Sequence, residues 1–361
     1  TVKREMANIE EIQVLKGPGS ILFGRADPGG IINTVTKQPL ATPYYSLQQQ
    51  AGSFDFYRTT VDATGPLTKD DRLLYRLNLS YENSGSFRDF VNNRSVFIAP
   101  VVKLNISPQT QVTAELEYQS FKNVADPGIP NVGNRPADVP RNLFAGEPIN
   151  NRNNGDRYFV GVNWSHMINN DWTISHRLSA ELMDYNSNSL FWFTPATANG
   201  SLERFFNNAP INHSNRYQTS VNLTGHVTTG ILKHTLLFGY DYIFLDDKIR
   251  GNNCCASAPA FNIFNPIYLA GRPILDSSNN SNMGFTQSWH GAYFQDQVKL
   301  PYNFHAMGGF RYDNAVGRNT VTDLTTSAED RFTPRGGLLW QPMPWLSLYG
   351  SYTENFGASN T

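Results

Sequence analysis

The sequence predicts an all-β protein, a transmembrane antiparallel β-barrel, and three observations support this fold class. Apolar and polar residues alternate with period two over many segments, and short and long connections between these segments alternate along the chain. Only 16% of the 361 residues are charged, against about 25% in ordinary soluble proteins. No apolar run approaches the roughly 18 residues that a membrane helix needs. A membrane would therefore be crossed by strands.

The first element, residues 9–39, is apolar and rich in glycine. Residues 9–15 and 31–36 are strand-like, and residues 20–23 can form about one helical turn between them. Turn-forming residues separate these runs: Gly17, Pro18, Gly19, Gly24, Gly29 and Gly30. Because glycine alone adopts positive φ without steric cost, two strands joined through a compact knot are expected.

The run VLKGPGSILFG, followed by PGGIINTVTKQP, resembles the end of the plug domain of TonB-dependent outer-membrane receptors, in the siderophore-receptor branch. The resemblance implies that residues 1–43 are the C-terminal part of an α/β plug domain lying in the barrel lumen, with its N-terminal part missing. It implies structural roles in the plug for Lys16, Gly17, Pro18, Gly24, Arg25, Gly29 and Gly30. A phosphate-binding loop is the competing interpretation, but Arg25 and Ala26 stand where a GK[ST] sequence would follow Gly24.

Lys16 has two interpretations. In the family that this segment resembles, a basic residue at the similar position, usually arginine, pairs with glutamates of the barrel wall. Lysine keeps the charge but lacks the bidentate fork of arginine, so the pairing would be looser. The alternative is a solvated lysine on the plug surface.

The remaining residues, 44–361, are expected to form the N-terminal part of the barrel. In residues 72–82 the odd positions are apolar, whereas the even positions include Arg76, Asn78 and Glu82. A slip of one residue would turn these polar side chains toward lipid, where each basic residue near the midplane costs about 2 to 4 kcal/mol. We therefore assign the odd positions to lipid and predict that Asn78→Arg is tolerated in a polar lumen.

The connections predict the orientation of the barrel. The short ones are expected near residues 67–71, 107–110, 169–171, 229–232, 301–302 and 343–345, and the long ones at 85–93, 122–156, 188–213, 248–284 and 317–330. Outer-membrane barrels have short periplasmic turns and long external loops. The pattern predicts about 13 strands of about 10 to 15 residues, whereas plugged transporters have 22. The barrel is therefore expected to be incomplete at its C-terminal side.

Aromatic residues near strand ends predict an interfacial girdle, which consists of Tyr158, Trp164, Trp172, Trp289, Trp340 and Trp345. The segments YFQDQVKL, GGFRYD, FTPRGGLLW and YGSYTENF also resemble the barrel of siderophore receptors. A soluble, carbohydrate-binding β-protein is the alternative fold. Long loops on one side only argue against it.

The resemblance implies a function in the outer membrane of a Gram-negative bacterium. The protein would bind a ferric siderophore with high affinity and import it using energy from TonB and its inner-membrane complex. Iron would enter with the ligand, with no cofactor, and the receptor would be a monomer among outer-membrane lipids. A net charge of −1 disfavours nucleic acid as a partner. A plugless diffusion porin and a TonB-dependent receptor for another ligand, such as cobalamin, are the alternatives.

Candidate ligand-binding residues lie in two long connections: Phe191, Trp192, Phe193, Arg204, Phe264 and Tyr268. Exposed aromatic clusters are costly unless they pack or bind a ligand, so a packed core within the loops is the alternative role for Trp192. Residues 261–273 resemble a loop of hydroxamate-type receptors, which favours a ferrichrome-like ligand.

Catalysis and metal binding are disfavoured, because the histidines are scattered and no serine occupies a nucleophile motif. The two cysteines, Cys254 and Cys255, are adjacent. Their Cα atoms, about 3.8 Å apart, are closer than the usual disulfide range of about 4.4 to 6.8 Å. Whether they are bridged is left open.

Overall fold

The structure, a computed structural model, describes residues 3–16, 29–271, 280–354 and 356–357. Within these ranges, β1 (Ile9–Lys16) and β2 (Gly30–Thr36) form a separate antiparallel pair. Thirteen further strands of the described chain form one sheet: β3 (Tyr44–Gly52), β4 (Phe56–Pro66), β5 (Leu73–Ser84), β6 (Asn93–Ser107), β7 (Thr110–Val124), β10 (Arg152–Met167), β11 (Trp172–Phe191), β13 (Phe205–Thr229), β14 (Leu232–Ser257), β16 (Ser281–Lys299), β17 (Phe304–Asn319), β18 (Leu324–Met343) and β19 (Leu346–Thr353). Two small pairs lie in the connections, formed by β8 (Asn131–Val132) with β9 (Arg135–Pro136) and by β12 (Ser201–Leu202) with β15 (Phe261–Asn262). Among the described residues, no helix is long and apolar enough to cross a membrane.

The large sheet is an antiparallel meander in which each strand pairs with the next one along the chain. The predicted all-β fold and the antiparallel sheet of about 13 strands are confirmed. The predicted short turns also hold, since β6 ends at Ser107 and β7 begins at Thr110, while β13 ends at Thr229 and β14 begins at Leu232.

The strands are longer than predicted. β13 has 25 residues and β14 has 26, so the expected length of about 10 to 15 residues is wrong for both. The two strands remain paired beyond the apolar alternation, through polar residues such as Asn208 and Asn253. Backbone hydrogen bonds sustain a strand where neither face is apolar, so hydrophobic periodicity cannot reveal these extensions.

β5 shows which face of the sheet points inward. Ser80 Oγ donates to a carboxylate oxygen of Glu5 over 2.9 Å, and Arg76 Nη1 donates to the carbonyl oxygen of Gln38 over 2.9 Å. The even residues of β5 are therefore the inner ones and are buried, whereas Leu77 and its odd neighbours are more exposed. The predicted assignment of faces in this strand agrees with the structure.

Asn78 requires a correction, because it is fully buried at 0% exposure. An arginine at this crowded inward position would lack space. We therefore do not expect Asn78→Arg to be tolerated. The predicted inward direction of residue 78 agrees with the structure.

The predicted place of Trp289 in the interfacial girdle is also wrong. Trp289 is 1% exposed, and its Nε1 donates to Asp313 Oδ1 over 2.6 Å, so it points inward from the middle of β16 and is not a girdle residue. Its neighbours at the same parity, Gln287 and Gln295, are buried and polar, which is typical of an inner face.

A charged cluster surrounds Trp289 on the inner wall. The guanidinium of Arg311 pairs with Asp241 of β14 over 2.8 Å and with Asp313 over 2.7 Å. Gly291 faces this guanidinium, and a Cβ there would overlap Arg311 Nη2. The absence of a side chain at residue 291 therefore makes room for the Arg311 pairs.

Candidate functional site

The long connections at one end of the sheet are joined to each other by backbone pairing. Ser201 pairs with Asn262 between β12 and β15, and Val132 forms an isolated bridge to Ala196. Three connections are thereby linked: 125–151, 192–204 and the described part of the one after β14, 258–271. Buried apolar residues fill the space between them: Ala137, Leu143, Ala145, Ala196, Leu202, Phe261 and Ile263. We call this group the loop core.

A buried ion pair fastens the loop core. Arg204, 1% exposed, donates from Nη2 to Glu147 Oε1 over 2.7 Å and from Nη1 to the carbonyl oxygens of Ala145 and Gly146 over 3.1 and 3.0 Å. Its guanidinium carbon lies 3.9 Å from the ring centre of Phe261. The other carboxylate oxygen of Glu147 accepts a hydrogen bond from the backbone N–H of Leu269 over 3.0 Å. One arginine therefore ties all three connections together.

Burial makes the charged guanidinium of Arg204 energetically unfavourable. Burial lowers the pKa of Arg204 below its ordinary value, although Glu147 opposes the change. Arginine nevertheless stays protonated in proteins. The removal of one partner of such a buried pair typically costs about 3 to 5 kcal/mol, because the other charge is left unpaired.

Tyr268 is a second fastening point. Its hydroxyl donates to the carbonyl oxygen of Phe144 over 2.8 Å, and its ring lies 5.1 Å from that of Phe90 and 5.8 Å from that of Phe261. Burial raises the pKa of Tyr268 above its ordinary value. Tyr268 thus packs mainly inside the loops.

The other predicted ligand residues divide between the loop core and the surface. Trp192 packs against the loop core, which was the alternative considered for it. Phe193 is 69% exposed, and its ring packs edge-on against Phe191 and at a tilt against Phe205, with ring centres 4.9 and 5.2 Å away. Phe264 is 53% exposed.

Phe264 lies directly over a tight turn. A Cβ at Gly200 would overlap the Phe264 ring, and Gly200 has a φ of +89°, which favours glycine. The sequence therefore places the exposed ring of Phe264 beside a turn that is held by β12 and β15. Contact of any of the six predicted residues with a ligand stays a prediction.

The loop surface exposes the aromatic rings of Phe193 and Phe264. Exposed aromatic rings rest on a fixed core, so they can pack against a bulky ligand without a large loss of conformational freedom. Sequence reasoning missed Glu147, because a carboxylate in a long polar connection gives no sign of its partner 57 residues later.

A second polar assembly lies on the inner face, where residues 3–8 contact the wall. Glu5 is buried, forms an ion pair with Arg58 of β4 and accepts a hydrogen bond from Ser80. Arg58 also pairs with Glu82 of β5 over 2.7 Å. Burial raises the pKa of the Glu5 carboxyl, but the bonds and charge of Arg58 outweigh this, so the pKa lies below its ordinary value.

The same assembly continues along the wall. Asn8 Nδ2 donates to Glu117 Oε1 over 2.7 Å, and Glu117 pairs with Arg157 over 2.7 Å. At the same end of the β1–β2 pair, directly after β2, Lys37 pairs with Asp62 over 2.9 Å. The backbone N–H of Lys37 donates to the Asn8 carbonyl oxygen over 2.8 Å. The two segments that flank the β1–β2 pair, residues 3–8 and 36–38, are thus bound to the inner wall at one and the same end of the pair. We call these contacts the wall contacts.

Of the residues predicted to have structural roles in residues 1–43, three are described. Lys16 is exposed at the end of β1 and has no ion pair with any described residue. It lies opposite Gly30, whose φ of +129° and proximity to the Leu15 carbonyl exclude a side chain. Gly29 has open space around it. Gly17, Pro18, Gly24, Arg25 and the helical turn predicted at 20–23 lie outside the described residues.

The two cysteines are bonded to each other as a disulfide near the external end of β14. Cys255 has a φ of +73° and is exposed, as is Cys254. Within the described chain, no group of histidine, cysteine and carboxylate side chains is arranged to hold a metal ion.

Known proteins are similar to this chain in sequence and in fold. Residues 100–361 match the family model "TonB dependent receptor-like, beta-barrel". The chain is 30% identical over 369 residues to the metal-pseudopaline receptor of Pseudomonas aeruginosa, an alignment that covers 98% of this chain and 51% of the relative. It is 25% identical to the ferrichrome outer membrane transporter/phage receptor of Escherichia coli, over 98% of this chain and 51% of that relative.

Solved structures show the same fold. The open form of the ferric-catecholate import receptor of Escherichia coli matches with a TM-score of 0.85 and 20% identity, over 99% of this chain and 61% of that one. The ferripyoverdine receptor of Pseudomonas aeruginosa matches with a TM-score of 0.83 and 19% identity, over 98% of this chain and 48% of that one. The chain spans about half the length of the curated relatives it matches.

Proposed function

The chain belongs to the TonB-dependent receptor family of the Gram-negative outer membrane, and from this premise we propose that it captures a ferric siderophore and imports it. The observation that carries the proposal is the loop core. It presents exposed aromatic rings at the end of the sheet that bears the long connections, which in outer-membrane barrels is the external end. Aromatic surfaces of this kind suit a bulky chelate.

The division of the chain supports this proposal. We assign residues 1–43 to a plug and residues 44–361 to the barrel, since β1 and β2 pair only with each other and residues 3–8 and 36–38 contact the inner wall. A receptor for a scarce ligand must bind tightly, and a tight site releases its ligand slowly unless external work remodels it. TonB, driven by its inner-membrane complex, would supply that work. The iron would arrive as part of the ligand.

A chelate of another transition metal is the second candidate ligand. The metal-pseudopaline receptor is 30% identical to this chain, against 25% for the ferrichrome transporter, although both alignments cover 98% of it. The ferrichrome-like ligand and the cobalamin ligand stay predictions. The porin alternative is set aside, because the family is one of receptors.

Growth tests the proposal directly. An iron-starved strain would be given a panel of purified ferric siderophores, with and without the full-length gene, and a strain starved of another transition metal would be given the corresponding chelates. We expect at least one chelate to support growth only when the gene is intact. If no chelate of any metal does so while the protein is abundant in the membrane, the proposed function is wrong.

A further inference from the structure

Basic side chains on the inner face of the sheet divide into two groups. The arginines of the wall contacts and of the Arg311 cluster have carboxylate partners. Five other basic residues on this face have none among the described residues: Lys103, Arg177, Lys233, Lys299 and Arg335. Arg335 lies in the middle of β18, whereas the other four lie toward the short-turn ends of their strands, which in outer-membrane barrels is the periplasmic side.

The inward direction of these side chains follows from regular pairing. Lys233 is eight residues before Asp241, which bonds to Arg311 on the inner wall, and the β14–β16 register is unbroken between them. Lys299 is six residues after Tyr293, whose hydroxyl donates to Asn222 across the same face over 2.6 Å. Even separations without a bulge keep a side chain on one face. Lys233 and Lys299 therefore face the lumen.

The two lysines lie directly opposite each other, since Lys233 and Lys299 are register partners. Like charges in this position destabilise a strand pair. His305 is the next partner of Lys299, and His226 lies nearby. These residues line a cavity of about 740 Å³ with Asp171 as its only carboxylate among the described residues. Two lysines against one carboxylate leave a net positive charge on the described lining of this cavity.

Two of the inner-face carboxylates elsewhere on the wall already have cationic partners. Asp62 binds Lys37 and Arg76, and Glu181 binds Arg157 and Arg216. Glu115 is bound only to neutral groups, Thr36 and Asn163. None of these three carboxylates lines the cavity of Lys233 and Lys299.

We propose that the surface formed by Lys233, Lys299 and His305 binds an anion, namely a negatively charged metal chelate as it leaves the lumen. This inference rests on the proposed function and narrows its substrate class to anionic chelates. A positively charged surface at the end of the lumen raises the local concentration of an anion. It also offers charge-assisted hydrogen bonds once the ligand has left the external loops.

Inorganic pyrophosphate, a small polyanion without metal, is the probe for this surface. Its affinity for the purified full-length receptor would be measured by calorimetry at low salt for the wild type, for Lys233→Gln with Lys299→Gln, and for a control. The control, Lys69→Gln with Lys122→Gln, removes the same charge from exposed positions, one in a short turn and one on the outer face of β7. We expect at least about a tenfold loss of affinity in the lumen variant, since charged contacts contribute about that much each, and none in the control. Equal affinities in all three proteins would overturn the proposal.

A planar bilayer distinguishes the chelate from an acidic part of the plug as the natural occupant. If the lysines hold the plug, the lumen variant should conduct ions, which would overturn the assignment to a chelate. If the variant has lost its affinity for pyrophosphate and stays closed, the assignment is supported. Pyrophosphate affinity and bilayer conductance do not depend on growth on the siderophore panel. A failure of the proposed function would therefore be distinguished from a failure of this inference.

Discussion

Arg204 shows how one buried charge can hold an external surface in place. Its substitution by alanine would leave Glu147 buried without a partner, which should cost the loop core about 3 to 5 kcal/mol. We expect the connections at 125–151 and 192–204 to become protease-sensitive while the sheet keeps its thermal stability. Arg318→Ala, at an exposed position near the external end of β17, is the control. Unchanged proteolysis in Arg204→Ala would contradict the role given to this pair.

Phe193 and Trp192 are neighbours with different surroundings, so they separate ligand contact from packing. Phe193→Ala should weaken chelate binding by about 1 to 3 kcal/mol, the range of an aromatic anchor, and leave the loops resistant to protease. Trp192→Ala should reduce both binding and protease resistance, because Trp192 packs on the loop core. Binding to cells and limited proteolysis would be measured for each variant. A Phe193→Ala protein that binds normally would exclude Phe193 from the site.

Adjacent residues of β11 test the assignment of the two faces. Leu178 is 50% exposed, whereas Ser179 lines a polar cavity of about 780 Å³ inside the sheet. Leu178→Arg should impair membrane insertion, at a cost of about 2 to 4 kcal/mol near the midplane, and Ser179→Arg should insert normally. The measurement is the amount of heat-resistant folded barrel in purified outer membranes. Equal loss in both variants would refute the assignment.

Gly291 tests the packing between strands. A methyl group at this position would overlap the guanidinium of Arg311 and disturb its pairs with Asp241 and Asp313. Gly291→Ala should lower the thermal unfolding temperature of the barrel. Gly308→Ala, at a position with nothing within 4 Å of the added carbon, should not. Equal unfolding temperatures in the two variants would show that the wall adapts to the methyl group.

The two faces of the sheet meet different surroundings, and the sequence records that difference only in part. Alternation identified the inward Arg76 and the outward Leu77, because lipid and a polar lumen impose opposite chemistry on the two faces. It failed at Trp289, where an aromatic ring faces inward to donate to Asp313. An indole can serve at a membrane interface or in a polar interior, so residue type alone does not decide between them.

The sequence could not predict which charged residues pair over long distances along the chain. Glu5 meets Arg58 only because residues 3–8 cross the inner wall, and Arg204 meets Glu147 only because two connections fold over the same strands. A single sequence contains the charges but not the path of the backbone between them. The family resemblance predicted the presence of a plug and a barrel, whereas the particular ion pairs required coordinates.

The wall contacts connect the two parts of the chain and should respond to pH. The pKa of Glu5 is lowered in the folded protein, so its contribution is complete above the unfolded pKa of about 4.3 and is lost as the pH falls through the folded value. We expect conductance in planar bilayers to rise as the pH falls below about 4, because residues 3–8 then lose part of their hold on the wall.

Two variants check this expectation. Glu5→Gln should conduct more than the wild type at neutral pH and should show a smaller further increase on acidification. Glu10→Gln, at an exposed position of β1, should behave like the wild type. If acid opens the Glu5→Gln and wild-type proteins to the same extent, another group controls the response.

The great length of β13 and β14 determines how far the protein extends from the cell surface. A barrel strand needs about 9 to 11 residues to cross the membrane, and β14 has 26. Roughly 15 residues remain, which at about 3.3 Å each and a tilt of about 45° lift the paired outer ends of β13 and β14 on the order of 35 Å beyond the hydrocarbon layer. An antibody approaching the bacterium would therefore meet these paired strand ends before it reached the lipid. The height that offers the aromatic surface to the medium also makes it an accessible epitope.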